Sequence, residues 1–151
     1  MTIQTTETEA RRAWMGLLAK AAPARLDALL GEVGDLPAFT WLRRPEAGGV
    51  MVRGRMGGTG QPFNLGEMTV TRCALQIAGG AVGHAYVQGR DKRHAEQAAL
   101  VDALMQTERA GDLRRTVLDR LAAERAARAE GRAAKAAATR VDFFTMVRGE
   151  D

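Results

Sequence analysis

Apolar residues recur at steps of three and four between Glu7 and Ala21. Trp14, Leu17, Leu18 and Ala21 then share one side, and the spacing predicts a helix. Pro23 stands where a first helical turn tolerates proline. Leu26, Leu29, Leu30 and Val33 predict a second, shorter amphipathic helix ending near Gly31 or Gly34. The two read as an antiparallel helical pair. After Pro37 the period falls to two. Phe39, Trp41 and Leu42 suggest a strand closed by Arg43-Arg44-Pro45, and Gly48-Gly49 marks a turn. Val50, Val52 and Met56 alternate with Met51, Arg53 and Arg55 in a second strand, which Gly57-Gly58-Thr59-Gly60 breaks. A third strand, Glu67 to Ala78, puts Thr69, Thr71, Cys73, Leu75 and Ile77 on one face and Met68, Val70, Arg72, Ala74 and Gln76 on the other. Gly79-Gly80 is a hairpin signal, and Ala81 to Val87 makes a fourth strand. Short turns between consecutive strands favour an antiparallel meander.

The helical period returns after Gly89. Asp91 is an expected N-cap, and Ala95 to Met105 form a largely apolar helix that should lie across the sheet. A longer helix begins near Asp112, with Leu113, Val117 and Leu121 as its stripe. From Ala122 to Ala138 the stripe is gone and Ala, Arg, Glu and Lys dominate, with Glu124 and Arg128 spaced for an ion pair. A helix that is polar all round projects into solvent or bridges between bodies. Beyond it lie Val141, Phe143, Phe144, Met146 and Val147, holding two of the four phenylalanines. A terminus with that apolar load needs something to cover it. The expected fold is α+β: a four-stranded antiparallel sheet flanked by an N-terminal helical pair and C-terminal helices (αα-ββββ-αα), with a projecting terminal helix and tail. Residues 1–121 would be the globular body, and 122–151 an extended helix with a partner-docking tail.

The 151 residues suffice for one domain with a real core, and 46% hydrophobic content argues against disorder throughout. At 5% aromatic, the core must rest on Leu, Val, Ala and Met. A net charge of +4 permits an anionic ligand or an acidic partner. The basic residues are spread along the chain, without a helix-turn-helix or an aromatic-basic sheet motif, which argues against nucleic acid. Cys73 is the single cysteine, so neither an internal disulfide nor a thiolate zinc site can form. With no signal-peptide pattern and no apolar run of about 20 residues, the expected setting is cytoplasmic, without a membrane.

Three segments could carry chemistry. In Arg55-Met56-Gly57-Gly58-Thr59-Gly60, backbone N–H groups freed by glycine, with Arg55, could hold an anion; the other reading is a wide hairpin loop. The segment lacks the spacing of a P-loop or a dinucleotide fingerprint. Gln88, Arg90, Asp91, Lys92, Arg93, His94 and Glu96 crowd a strand-to-helix junction, where cations oppose the helix dipole and call for a compensating anion or acidic surface. Asp91 and Glu96 could also supply that charge internally. Arg72, Arg90 and Lys92 extend the anion-binding set. His94 is the one candidate for catalysis, as base or metal ligand, against a structural or interface role. With His84 as the only other histidine, no metal set is evident. The third segment is the tail, docked either on its own sheet or on another chain.

Taken together these strings resemble the PhnG family, which belongs to the bacterial carbon–phosphorus lyase system. The resemblance rests on RMGGTG at 55–60, GEMTVTR at 66–72, VQGRDK with HAE at 87–96, DALM at 102–105 and RVDFFTMVRG at 140–149, together with Trp14-Met15 and Leu17-Leu18-Ala19 near the start. It implies a role in using phosphonates as a phosphorus source, alongside the H, I and J subunits of that system. The assembly so implied attaches a phosphonate to C1 of the ribose triphosphate moiety of ATP and releases adenine. A later step breaks the carbon–phosphorus bond with S-adenosylmethionine and an iron–sulfur cluster on another subunit. The resemblance implies no cofactor and no catalytic residue for this chain. It favours Gln88, Arg90, Asp91, His94, Glu96, Val141, Phe143, Phe144, Met146, Val147 and Arg148 as interface residues. Whether the isolated chain is a monomer, a homodimer or a tail-swapped pair stays open.

Overall fold

The computed structural model describes the backbone of residues 2–140 and the side chains of residues 6–140. Val141, Phe143, Phe144, Met146, Val147 and Arg148, the expected tail anchors, lie outside the described residues.

Helix α1 (Thr2–Ala19) is followed by α2 (Pro23–Val33), which opens on its proline and ends at Gly34 with φ 81°. Strands β1 (Phe39–Arg55), β2 (Pro62–Ile77) and β3 (Val82–Gln88) form an antiparallel sheet in the order β1-β2-β3. Helix α3 (Lys92–Leu104) follows, then α4 (Ala110–Leu113), a π-helical stretch (Arg114–Leu118) and α5 (Asp119–Ala138).

The α+β class holds, but the sheet has three strands rather than four. The first two expected strands are one. Arg43-Arg44-Pro45 and Gly48-Gly49 do not turn the chain; the first is absorbed as a bulged stretch, with register shifts at Trp41/Arg43 and Arg43/Glu46, and the two glycines pair in regular register with Val70 and Thr69. Proline is tolerable there because β1 is an edge strand with one row of backbone groups free of ladder bonds. The central strand also starts earlier than its apolar pattern suggested, at Pro62 instead of Glu67. The helical pair is corrected too: α1 and α2 each pack on α3 more than on one another. Glu124 pairs with Arg25 of α2 at 2.7 Å, not with Arg128.

The core lies on one face of the sheet. Cys73, Leu75 and Ile77 of β2 and Ala85 and Val87 of β3 meet Ala95, Ala98, Ala99, Leu100 and Val101 of α3; the leucines of α1 and α2, with Leu113, Val117, Leu118 and Leu121, close it from outside. Helix α3 approaches β3 so closely that a Cβ at Gly83 would fall 1.8 Å from the Ala99 carbonyl oxygen. Glycine is therefore required there for sterics.

The hairpin β1–β2 outruns this core. Strand β3 pairs with β2 only from Val70 to Gln76. The eight residues Pro62–Thr69, with Gly49–Arg55 opposite, form a two-stranded arm about 25 Å long at ~3.3 Å per residue. No residue between Gly31 and Thr69 is buried. At the other end of the molecule, α5 leaves the body after Leu121 and is exposed from Arg125 onward.

Candidate functional site

The glycine loop closes the far end of the arm. Gly57 and Gly58 take φ of 60° and 82°, which L side chains rarely adopt, and Gly60 donates its N–H to the Met56 carbonyl at 2.8 Å. A Cβ at Gly60 would sit 2.6 Å from that same oxygen. Arg55 folds over the loop, donating from Nη1 to the Gly60 carbonyl at 3.2 Å, and Thr59 completes the turn. These glycines are thus used in making a tight hairpin end.

Arg72 stands well down the strand, about 30 Å from the tip at ~3.3 Å per residue, so the expected anion-binding residues do not converge. Its Nε binds Glu46 Oε1 at 2.7 Å, and Arg43 holds the same oxygen at 2.7 Å. The two guanidinium groups, Arg43 first, hold the Glu46 carboxyl below its ordinary range. Beside this triad two shallow clefts open at Gly48–Gly49, where β1 bears no side chains. One, of about 320 Å³, touches Glu46, Arg72 and Tyr86, and the other, of about 300 Å³, touches Glu67, Thr69 and Arg90. Arg72 and Arg90 line different clefts. Lys92 is exposed on the first turn of α3, and Gln88 is exposed at the end of β3.

Part of the charge at the strand-to-helix junction is met by carboxylates of this chain. Asp91 caps α3, accepting from the His94 backbone N–H at 2.9 Å. Arg93 donates to Asp27 of α2 at 2.7 Å, and Gln97 donates to the same oxygen at 2.6 Å. The Arg93 hydrogen bond, then that of Gln97, pulls the Asp27 carboxyl below its ordinary range. Asp27 was not anticipated, because a charge on an exposed helix face carries no sign of its partner. Glu96 is half-buried behind the cap.

His94 is 2% exposed, with Nε2 2.8 Å from the Leu18 carbonyl oxygen. A carbonyl can only accept, so that nitrogen carries the proton, and the ring ties the start of α3 to the end of α1. Cys73 is likewise interior, 3.2 Å from the Ala95 carbonyl oxygen, and burial, with Glu96 adding, pushes its thiol up to about 12. Among the described residues no cluster of His, Cys, Asp or Glu is arranged to ligate a metal. No described helix is long and apolar enough to cross a membrane.

The most elaborate polar site was unforeseen. Asp102, 0% exposed, accepts from Arg11 Nε at 3.1 Å and Nη2 at 2.7 Å, Trp14 Nε1 at 2.8 Å and the His84 backbone N–H at 2.9 Å. Arg11 also donates to the Val82 carbonyl at 3.1 Å. One carboxylate thus joins α1, α3 and the free edge of β3. Its sequence signal is a lone acid on an otherwise apolar helix face.

Comparison with known proteins places this arrangement. The family described as phosphonate metabolism protein PhnG matches residues 9–149. The chain belongs to the PhnG family. A relative from Rhizobium meliloti (strain 1021), alpha-D-ribose 1-methylphosphonate 5-triphosphate synthase subunit PhnG, is 45% identical over 141 residues, covering 93% of this chain and 90% of its own length. The PhnG match takes in the arm, the Asp102 site and α5 alike.

Proposed function

We infer that the chain is the PhnG component of an alpha-D-ribose 1-methylphosphonate 5-triphosphate synthase in phosphonate catabolism, and that its own contribution is to assemble and position the other subunits. The reaction it supports transfers a phosphonate to the ribose C1 of ATP with release of adenine. Its partners are the H, I and J subunits of the carbon–phosphorus lyase system. The chain itself holds no cofactor: ATP, and later S-adenosylmethionine with an iron–sulfur cluster, are handled on other chains, in the cytoplasm.

The observation that carries this reading is where the chain's chemical groups sit. His94, Cys73 and Asp102, the side chains best suited to catalysis by type, are interior and committed to packing. The arm and the outer turns of α5 are instead presented outward. In this scheme residues 1–121 are the body, and 122–151 reach a neighbouring subunit through Val141, Phe143, Phe144, Met146, Val147 and Arg148. Removing residues 141–151 should leave a folded, soluble chain that no longer co-purifies with the I and J subunits. Normal assembly by the truncated chain would defeat the tail's part in this scheme.

A second reading rests on the clefts at Gly48–Gly49, where Arg90 makes no ion pair with any described residue. There Arg72, Arg90 and Lys92 would bind a triphosphate or phosphonate, separately from Arg55 and the glycine loop. Calorimetric titration of the chain with ATP and with methylphosphonate tests it. Heat that disappears in the Arg90→Ala chain would favour this reading, and no heat at all would remove it.

A further inference from the structure

A groove of about 470 Å³ opens between α1 and α5, larger than either cleft at Gly48–Gly49. Trp14 and Leu17 of α1 and the buried Leu118 line it, with Ala122, Ala126 and Ala129 of α5 along one side. Leu118 belongs to the π-helical stretch, a backbone irregularity that is frequent at functional sites. Asp119 stands at the same groove and makes no ion pair with any described residue. At helical steps the side of α5 bearing Ala122, Ala126 and Ala129 goes on through Ala133 and Ala137, so the groove's wall leads to the helix end. The helix closes there, with Thr139 and Arg140 donating their N–H groups to the Ala136 and Ala137 carbonyls at 3.3 and 3.2 Å.

The chain beyond Arg140 has the composition and the length to fill this groove. Five of the seven residues 141–147 are apolar: Val141, Phe143, Phe144, Met146 and Val147. Such a load needs cover. Ala126 and Ala122 lie about 18 and 24 Å back from Ala138 at ~1.5 Å per residue of helix. An extended chain gains ~3.3 Å per residue, so one that reverses at Arg140 draws level with Ala126 near Met146 and with Ala122 near Arg148. The Arg148 side chain would then span the last turn to Asp119 and pair with it. A segment tethered to the groove's own wall meets it at roughly millimolar effective concentration, so a second copy at lower concentration does not displace it. We propose that residues 141–148 seat in the α1–α5 groove of their own chain, running back along α5, whenever no other subunit holds them. The seat goes beyond the assembly role: it gives the tail an intramolecular resting place, from which a neighbouring subunit would draw it.

The test cross-links the full-length chain with a short bismaleimide. Thr145→Cys keeps every apolar residue of the tail, and Ala126→Cys places the second thiol at the groove. Ala127→Cys, exposed and on the far side of α5, replaces Ala126→Cys as the control. Cys73, with its interior sulfur and its thiol pushed up to about 12, stays out of the reaction. The groove pair should close within one chain, at a rate independent of protein concentration and at least about tenfold above the control pair. Phe143→Ser with Phe144→Ser, added to the groove pair, should abolish that advantage. Equal rates for the two pairs, or an advantage that survives the serine changes, would overturn the proposal. So would products that join two chains and grow with concentration, because the groove would then seat a second copy's tail. Co-expressed I and J subunits should slow the closure. Unchanged closure in a complex that still co-purifies would instead remove the tail's part in assembly and leave the seat standing.

Discussion

Asp102 and Leu65 are opposite departures from the rule that polar groups face water and apolar groups do not. Asp102 is a charge at zero exposure, yet two groups on Arg11, the Trp14 indole and a backbone N–H saturate it. Leu65 is an aliphatic side chain left 67% exposed, with nothing of its own chain upon it. Every described buried side-chain nitrogen or oxygen in the body has a partner. The body satisfies its own physical demands, whereas the arm leaves its demands open. That contrast separates residues that serve this chain's stability from residues whose value lies in contact with another.

The contrast is tested most severely at Asp102. Asp102→Ala strands Arg11, Trp14 Nε1 and the His84 N–H, and should cost about 3–5 kcal/mol in urea unfolding of the isolated chain. A cost below about 1 kcal/mol would mean that the body tolerates open demands as the arm does. Gly83→Ala comes next. Its methyl group cannot coexist with the Ala99 carbonyl, so α3 must lift from β3, at about 1–3 kcal/mol. Cys73 offers a kinetic reading. With its thiol pushed up to about 12 and its sulfur interior, alkylation at pH 8 should proceed only through unfolding. Rapid labelling of the native chain would place an opening at the sheet–α3 seam.

Leu65→Ser should then change the lone chain's stability by no more than about 0.5 kcal/mol, despite removing a large apolar group. A larger loss would show that the arm contributes to the chain's own folding. The smallest effect belongs to Asp27 and Glu46, whose carboxyls are held below their ordinary range by arginine hydrogen bonds. A depressed folded value gives stability that is complete above the unfolded value. That stability is lost as the pH falls through the folded one, so a slight decline should begin below about pH 4. Both pairs are exposed, so 0.5 M salt should reduce the decline further.

The helices were legible because their cues are local: Pro23 and Gly34 bound α2, and Asp91 caps α3 as its position suggests. The sheet was less so. Arg43-Arg44-Pro45 and Gly48-Gly49 are turn signals by composition, but an edge strand can absorb the first as a bulge and run straight through the second, and nothing in the local pattern separates these outcomes from a turn. Pro62 to Gly66 precedes the alternating pattern that begins at Glu67, and is strand because β1 is long enough to pair with it. Spatial convergence was the least legible. Arg55 and Arg72 share a type and a strand pair, yet the hairpin sets them at different ends. Asp27 and Arg93, 66 positions apart, meet through tertiary packing alone.

Helix α5 has a consequence of its own as a spacer. Its 20 residues measure out about 30 Å, each adding ~1.5 Å of reach and ~100° of azimuth to whatever follows. Dropping one residue between Arg125 and Ala138 would shorten it slightly but swing the downstream chain to another side of the rod. Dropping seven would shorten it by about 10 Å while nearly restoring the original heading. Length variation among natural relatives should therefore come in near-whole turns, since direction is lost long before distance is.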